Sequence, residues 1–352
     1  MSLLHELGLW ALRRTDAETS HVLGIKAIKA GFGPRQDGPD DPVLAVEIAG
    51  LRLPNCVGLA AGFDKHGEVA DAMLAAGFGF VECGTVTPLP QGGNPRPRVF
   101  RLAEDSAVIN RYGFNSLGLE AFAANFGHRR APGIVGANIG ANKDSVDRAA
   151  DYVAGLRRLW PLADYFTANI SSPNTPGLRT LQAREALDEL LGRLALARRE
   201  LALRAGDRPL FLKVAPDLTE AEIDDICASV LANGLNGIIV GNTTLSRPEG
   251  LRSPHRGEAG GLSGAPLFAL STRVLRLFHD RAAGADLCLI GAGGIGSGAD
   301  AYAKIRAGAC AVQLYTLLAL RSPGLVGTIK QDLADRLRAD GFTTVVDAVG
   351  AR

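Results

Sequence analysis

The chain has 352 residues, a formal net charge of +1 at pH 7 and a hydrophobic content of 47%. This near-neutral charge lacks the basic excess of nucleic-acid-binding proteins, and the apolar content is sufficient for a large core. The five cysteines form no C-x-x-C pair and the six histidines show no paired ligand spacing, so neither a disulfide framework nor a metal site is predicted. No apolar run is long enough to span a bilayer.

Residues 2–31 predict two short helices. The motif Thr15-Asp16-Ala17-Glu18 has the pattern of a capping box that would start the second helix. The apolar positions at helical spacing are Leu3, Leu4, Leu7, Trp10 and Ala11 in the first helix and Val22, Ile25 and Ile28 in the second. Two interpretations remain open on these residues alone. The pair either packs on its own domain as a helical hairpin or lies in a membrane surface.

A polar linker covers residues 35–42, and residues 43–53 predict a small β-hairpin around Ala49-Gly50. From Asn55 onward, short apolar runs alternate with glycine-rich loops and helical patterns. The predicted strands are 56–61, 80–83, 134–139, 165–170, 210–214, 237–240, 287–290 and 311–315. The predicted helices are 67–76, 116–126, 146–159, 183–204, 219–233, 265–281, 299–307 and 323–338. Eight such units favour an α/β fold, a (β/α)₈ TIM barrel, over a doubly wound open sheet.

A barrel of this kind places its active residues just after its strands, at the C-terminal face. Small and polar residues occur at nearly every such position in this chain. They are Ala61 to Lys65, Gly84-Thr85, Asn138 to Lys143, Asn169 to Asn174, Lys213, Gly241 to Thr244, Gly291 to Gly294 and Tyr315-Thr316. Because stability does not require polar residues at so many strand ends, the pattern predicts one pocket lined by them.

The segment Gly291 to Gly296 matches G-x-G-x-x-G, the dinucleotide fingerprint. The following strand ends in Gln313-Leu314-Tyr315 and offers no acidic residue for a ribose, which argues against a Rossmann site. In a barrel, the loops after the seventh and eighth strands commonly bind phosphate. A phosphate is therefore predicted at Gly293-Gly294 and Tyr315-Thr316.

Lys213 ends an otherwise apolar strand, where a buried cation requires an anion or an electron-rich ring as its partner. Lys65 is either a carboxylate-binding residue or an ordinary loop lysine. Ser172 has no histidine nearby and no nucleophile elbow, so only a role as a general base through a short proton relay is considered. Asparagines that could pair with a flat cyclic amide are Asn110, Asn115, Asn169, Asn174 and Asn242.

Taken together, these loops resemble those of the dihydroorotate dehydrogenases, and closely those of the quinone-dependent class 2 enzymes of pyrimidine (UMP) biosynthesis. The resemblance extends from the hairpin to the last strand. The matching motifs are GLAAGFDK (58–65), ECGTVTPLPQGGNPRPRVFRL (82–102), INRYGFNSLG (109–118), NIGANK (138–143), NISSPNTPGLRTLQ (169–182), LKVAPDL (212–218), NTTLSR (242–247), GGLSGAPL (260–267), IGAGGI (290–295) and VQLYT (312–316).

The resemblance implies an FMN enzyme that oxidises (S)-dihydroorotate to orotate. Ser172 would take a proton from the ring while hydride passes to the flavin. Class 1 relatives carry Cys at this position, so Ser172 indicates class 2. The implied FMN contacts are Ala61, Gly62, Phe63, Asp64, Lys65, Thr85, Asn138, Asn169, Lys213, Gly241, Gly264, Gly294, Tyr315 and Thr316. The implied substrate contacts are Lys65, Asn110, Arg111, Tyr112, Gly113, Phe114, Asn169, Asn174, Asn242 and Thr243.

The same resemblance favours the membrane interpretation of the N-terminal helices. Residues 1–34 would form a tunnel through which a membrane quinone reaches the flavin, with Arg101 and Tyr315 near its quinone end. The enzyme would then sit peripherally on the cytoplasmic side of the cell membrane. Residues 43–338 would form the barrel, and residues 339–352 a tail outside the resemblance, with disorder as one alternative. A related FMN barrel with another cyclic amide substrate or electron acceptor remains the alternative function.

Overall fold

The centre of the molecule is a closed barrel of eight parallel strands. The computed structural model describes residues 15–175, 177–322 and 324–351. The strands are β1 (Val46–Ile48), β2 (Leu51–Leu53), β3 (Val57–Leu59), β4 (Phe80–Val86), β5 (Val99–Leu102), β6 (Ala107–Asn110), β7 (Ile134–Ile139), β8 (Tyr165–Asn169), β9 (Leu210–Val214), β10 (Gly237–Val240), β11 (Gly261–Gly264), β12 (Cys288–Ala292) and β13 (Ala311–Leu314). The barrel follows β3, β4, β7, β8, β9, β10, β12 and β13, and β13 pairs with β3 to close it. The predicted TIM barrel is confirmed.

Helices surround the barrel and connect its strands. They are α1 (Ala17–Ala27), α2 (Ala70–Ala75), α3 (Leu119–Phe126), α4 (Arg148–Leu159), α5 (Arg184–Ala205), α6 (Glu220–Ala232), α7 (Phe268–Arg281), α8 (Gly298–Arg306), α9 (Thr316–Arg321) and α10 (Leu325–Ala339). No helix of the described ranges is long and apolar enough to cross a membrane.

The barrel strands are buried on both faces, which explains their uninterrupted apolar runs. Every residue of β4, β8 and β9 is buried. Aromatic side chains of these strands pack on one another and on a neighbouring ring. Tyr165 meets Phe80 and Phe211 edge to face, with ring centroids 6.3 and 5.6 Å apart, and Phe166 stacks on Trp160 at 5.5 Å. Burial of each such ring contributes about 1.5–3 kcal/mol.

A separate antiparallel sheet of β5, β6 and β11 was not predicted from the sequence. β5 and β6 pair locally, with Leu102 opposite Ala107, whereas the pairing of β6 with β11 is long-range and joins Asn110 to Gly261. β11 has the sequence Gly-Leu-Ser-Gly, which carries little strand propensity of its own. The sheet supplies residues to the functional site described below.

The N-terminal segment begins, within the described residues, with α1. The side chain of Asp16 accepts hydrogen bonds from the amides of Glu18 and Thr19. Asp16 is therefore the cap, and the predicted capping box of Thr15 and Glu18 is wrong, because the Glu18 carboxylate pairs instead with Arg98. After α1, a π-helical turn covers Ile28–Phe32 and contains Gly31 at a φ of 92°. The predicted first helix, with Leu3, Leu4, Leu7, Trp10 and Ala11, lies outside the described residues.

Two smaller features border the barrel. The predicted hairpin is present as β1 and β2, and both turn residues, Ala49 and Gly50, have positive φ values. The C-terminal segment, for which disorder was one alternative, packs on the rest of the protein over its described residues, which end at Ala351. Val345 and Ala348 are completely buried, and the Val345 amide donates to the carbonyl of Val43 at 2.8 Å. This packing joins the C-terminal segment to the turn of residues 42–44 that precedes the hairpin.

Candidate active site

A cavity of about 560 Å³ lies at the C-terminal ends of the barrel strands. It brings together most of the residues that the sequence predicted for the site. The predicted residues that line it are Ala61, Gly62, Phe63, Lys65, Thr85, Arg101, Asn110, Tyr112, Gly113, Phe114, Asn169, Ser172, Asn174, Lys213, Gly241, Asn242, Thr243, Gly264, Gly294, Tyr315 and Thr316.

Ser172 lies in the loop after β8, is 6% exposed and lines this cavity. Its Oγ accepts the amide of Asn174 at 3.3 Å. The neighbouring Ser171 hydroxyl donates to Asn169 Oδ1 at 2.8 Å and accepts from Asn242 Nδ2 at 2.7 Å. The two serines therefore differ: Ser171 is fixed between two asparagines, whereas Ser172 faces the cavity.

Arg179 holds this loop against its neighbours. Its Nε donates to the carbonyl of Ser171 at 3.1 Å, and its Nη2 donates to the carbonyl of Thr243 at 3.1 Å. Its remaining nitrogen pairs with Asp217 at 3.0 Å. These bonds fix the loops after β8, β9 and β10 relative to one another.

Lys65 lies on the opposite segment, after β3. Its ammonium is 3.5 Å from the centroid of the Tyr112 ring. Enclosure by protein lowers the pKa of Lys65 to about 7, opposed by the negative charge of Glu18 and reinforced by the positive charge of Arg98. Part of the side chain remains accessible through the cavity. A site lysine with this pKa can bind an anion and take up a proton as it does so.

Lys213 ends β9 and is 4% exposed. Burial lowers the pKa of Lys213, and the nearby charge of Glu82 opposes that shift. The carboxylate of Glu82 lies 3.9 Å from the ammonium and is completely buried. It also accepts hydrogen bonds from Asn138 at 2.8 Å, Thr167 at 2.9 Å and Gln313 at 3.1 Å. A positive charge at the cavity floor is thus maintained by an anion fixed beneath it.

Glu82, Gln313, Ser263 and His21 were missed by sequence reasoning. Glu82 could have been noticed as a carboxylate within an apolar strand, a position that requires a buried partner. Gln313 and Ser263 line the cavity, and the Ser263 hydroxyl lies 2.9 Å from that of Thr316. Nothing in the sequence connects these strand residues before the register of the barrel is known.

Three predicted residues do not line the cavity. Asp64 is buried below it and accepts the amides of Glu68 and Val69 at 2.9 and 2.8 Å. Asn138 lies between Glu82 and Thr85 and accepts the Thr85 hydroxyl at 2.6 Å.

Arg111, the third of these residues, points outward. It pairs with Glu258 at 2.8 Å and lies 4.5 Å from the centroid of the Phe100 ring. Strand-end position had suggested contact for Asp64 and Asn138, and the family resemblance for Arg111, but none of the three lines the cavity and their side chains support the site from outside its surface.

α1 covers one side of the cavity. Ile25, Ile28 and His21 line the wall there. The His21 ring packs edge to face on Phe63 at 5.4 Å, and Phe63 packs on Tyr315 at 5.8 Å. Burial lowers the pKa of His21 to about 3, so this imidazole is neutral at physiological pH. The cavity thus continues from a polar floor into an apolar passage beside α1.

The Glu18 carboxylate fixes α1 in this position. It accepts from the buried Arg98 at 2.7 Å and from the more exposed Arg96 at 2.9 Å. The guanidinium of Arg98 also donates to the carbonyls of Gly92 and Asn94. Hydrogen bonds to charged groups with this degree of burial are costly to break, because the remaining partner stays desolvated.

Comparison with known proteins identifies the family to which this site belongs. Residues 43–337 match the family model described as dihydroorotate dehydrogenase. The protein named dihydroorotate dehydrogenase (quinone) of Xanthobacter autotrophicus is 57% identical over 338 residues, which cover 95% of this chain and 94% of the relative. That of Rhodospirillum rubrum is 55% identical over 336 residues, which cover 96% and 91%. A crystal structure of DHODH from Eimeria tenella in complex with ferulenol superposes with a TM-score of 0.92 at 42% identity, covering 97% of this chain and 98% of that one.

Proposed function

Because the chain belongs to the dihydroorotate dehydrogenase family, we propose that it is an FMN-dependent oxidoreductase that converts (S)-dihydroorotate to orotate and passes the electrons to a membrane quinone. The observation that carries this proposal is the arrangement of one cavity, in which Ser172 shares the space with two lysines, the partly accessible Lys65 and the buried Lys213. A base beside two cations suits removal of a proton and hydride from an anionic ring.

The residues at the cavity fit a flavin mononucleotide. Buried polar atoms without a partner in the described residues include Asn115 Oδ1, Thr243 Oγ1 and Gln313 Oε1, and all three residues line the cavity. A ligand with ring amide groups would satisfy such atoms. When bound, FMN supplies a two-electron acceptor. The residues assigned to it are Ala61, Gly62, Phe63, Thr85, Asn169, Lys213, Gly241, Gly264, Gly294, Tyr315 and Thr316, with Asp64 and Asn138 supporting them from below.

The substrate assignment uses the polar side chains around Ser172. Lys65 would bind the substrate carboxylate, and Asn110, Asn174 and Asn242 would pair with the ring amides. Asn174 Nδ2 already lies 3.4 Å from Asn110 Oδ1, so these two groups reach a common point. The other residues assigned to the substrate are Tyr112, Gly113, Phe114, Asn169 and Thr243, with Arg111 acting only through the loop that it anchors.

Ser172 Oγ is assigned as the base that takes the proton from the ring carbon next to the carbonyl. The Asn174 amide that donates to this Oγ fixes its position. Arg179 and Ser171 hold the surrounding loop. A hydroxyl is a weak base by itself, so its own proton must leave through a short relay as hydride departs.

The quinone and membrane assignments rest on the N-terminal segment. His21, Ile25 and Ile28 give the passage beside α1 an apolar wall, with Arg101 and Tyr315 also at the cavity. On the outside of this segment, Val22, Leu23 and Phe32 are 42%, 43% and 75% exposed. Exposed apolar residues next to an apolar passage suit a lipid-soluble acceptor and peripheral attachment to a membrane surface, which the proposal assigns to the cytoplasmic side of the cell membrane.

Anaerobic stopped-flow tests the proposal directly. Purified protein is mixed with dihydroorotate while the absorbance of oxidised flavin is followed. Bleaching, followed by recovery after addition of a short-chain quinone, is the expected result. A flavin that stays oxidised with dihydroorotate would refute the substrate, and bleaching without recovery would refute the quinone as acceptor.

A further inference from the structure

Lys304, on α8, is completely buried and has no place in the mechanism given above. Its ammonium donates to the hydroxyl of Ser271 at 2.6 Å and lies 3.5 Å from the carbonyl of Ala292. The ring of Phe268 lies 5.1 Å from the same nitrogen. Its hydrogen-bond partners are therefore uncharged, which is an expensive environment for a cation.

The position of this lysine links it to one loop of the cavity. The Ser271 hydroxyl that accepts from Lys304 lies 3.1 Å from the carbonyl of Gly293. Gly293 and Gly294 follow β12 and line the cavity. Both have positive φ values, and a Cβ at Gly294 would lie 2.6 Å from Phe268 Cα, so this loop packs directly on the start of α7. The ammonium thus lies one layer of atoms behind the loop.

We propose that Lys304 is a positioning residue for the phosphate monoester of the flavin, holding a positive charge behind the Gly293-Gly294 loop. This inference rests on the proposed FMN function and on the preference of barrels for phosphate at the loops after the seventh and eighth strands. The lysine does not touch the phosphate. It orients the loop through Ser271 and Ala292, and its charge stabilises the bound dianion across one layer of low-dielectric protein.

The charges around Lys304 make this role pH-dependent. Burial lowers the pKa of Lys304 to about 7, and the charge of Asp300 on the same helix opposes the shift. The two helices packed against α8 also carry charged groups, and each of these bonds to the backbone of α8. Asp332 of α10 accepts the Ala299 amide at 3.1 Å, and Arg276 of α7 donates to the Arg306 carbonyl at 2.6 Å. A phosphate dianion favours the charged lysine, so binding of FMN takes up part of a proton above pH 7.

The test compares FMN with riboflavin, which lacks the phosphate. Full-length protein is stripped of flavin, and the affinity for each compound is measured by quenching of flavin fluorescence at pH 8. In Lys304→Met, which keeps the length of the side chain, we expect the affinity for FMN to fall about tenfold and that for riboflavin to stay within about twofold. Titration calorimetry in two buffers of different ionisation enthalpy should show proton uptake with FMN in the wild type and none in the variant.

Lys330→Met is the matched control. Lys330 is also a buried lysine on an outer helix, but its partners, Asp40 at 2.5 Å and the carbonyl of Gly77 at 2.7 Å, do not line the cavity. Removal of the Lys330 ammonium should lower the stability of the protein and leave the ratio of its affinities for FMN and riboflavin unchanged. Equal loss of FMN and riboflavin binding in Lys304→Met would make the lysine merely structural and overturn the inference, as would an unchanged affinity for FMN. A wild-type protein that binds neither flavin would instead refute the proposed FMN function, and this inference with it.

Discussion

The ammonium of Lys65 lies 3.5 Å from the centroid of the Tyr112 ring. The guanidinium of Arg98 lies over the same ring at 5.3 Å, and Arg98 pairs with Glu18 of α1. A cation on an aromatic ring is stabilised without a negative charge in contact with it. Lys65 is therefore held at the cavity with its charge available for an anionic ligand, and the same contacts connect it to the N-terminal helix.

Orotate binding should weaken as the pH rises above 7. The pKa of Lys65 is lowered to about 7. The ligand carboxylate binds the charged form, which predominates below this pKa and is lost above it, so Kd should rise by up to about tenfold per pH unit between pH 8 and 9. Perturbation of the flavin spectrum by orotate measures Kd. Lys65→Met should bind orotate weakly with no dependence on pH over this range, and a flat profile in the wild type would contradict the assignment.

The barrel could be predicted because each of its strands is marked by a pattern within its own short stretch of sequence. The runs at 134–139, 210–214 and 237–240 coincide with β7, β9 and β10, since strands buried on both faces must be continuously apolar. The β5–β6–β11 sheet could not be predicted, because Gly261 finds its partner Asn110 far along the chain. Strand pairing over such a distance leaves no periodic signal in the sequence.

The candidate site, like the fold, could be predicted only in part. Strand ends gave its lining, because every strand of a parallel barrel ends at the same face. Strand ends did not give side-chain direction, so Asp64 was expected at the cavity and lies outside it; Arg111, expected there from the family resemblance, also lies outside it. Glu82 was missed because its partners come from four other barrel strands, β7, β8, β9 and β13, whose register the sequence does not contain.

Ser172→Ala should retain bound flavin and reduce it slowly with dihydroorotate. Removal of a general base typically costs about 10²–10⁴-fold in rate, and the alanine leaves the surrounding loop contacts of Arg179 in place. Single-turnover stopped-flow measures the effect. Ser171→Ala is the comparison, because Ser171 bonds to Asn169 and Asn242 and should mainly raise the KM for dihydroorotate. Normal flavin reduction by Ser172→Ala would exclude this residue as the base.

Lys213→Met should make the flavin harder to reduce. A buried cation at the cavity stabilises negative charge on a reduced ring, and its loss should lower the midpoint potential by about 30–60 mV for a two-electron couple. Spectroelectrochemical titration gives the potential. Lys143→Met, in an exposed loop, is the control and should leave the midpoint potential unchanged.

Glu82→Gln should also shift the potential, since Glu82 is the anion at 3.9 Å from Lys213. Equal potentials in the wild type and both site variants would refute the role of the pair.

Phe32→Asp should weaken attachment to lipid vesicles. The phenylalanine is 75% exposed beside α1, where a charge would oppose insertion into the membrane surface. Co-sedimentation with vesicles containing anionic lipid measures the bound fraction. Leu203→Asp changes a residue that is 90% exposed on α5, away from this segment, and should have no effect. Equal sedimentation of both variants and the wild type would argue against this segment as the contact.

Glu18→Ala should impair reoxidation by quinone more than reduction by dihydroorotate. The change leaves Arg98 buried without its carboxylate, which costs about 3–5 kcal/mol for a buried pair, and the position of α1 depends on this contact. Because α1 supplies His21 and Ile25 to the apolar passage and the turn after it supplies Ile28, displacement of α1 should slow the quinone half-reaction severalfold. Stopped-flow of the two half-reactions, with limited proteolysis near residues 28–41, reports both effects.

Glu47→Ala is the control for this prediction. It removes the exposed pair with Arg52 and should change neither half-reaction, as surface pairs contribute about 0–1 kcal/mol. Equal slowing of both half-reactions by Glu18→Ala would mean that the pair supports the whole site rather than the passage.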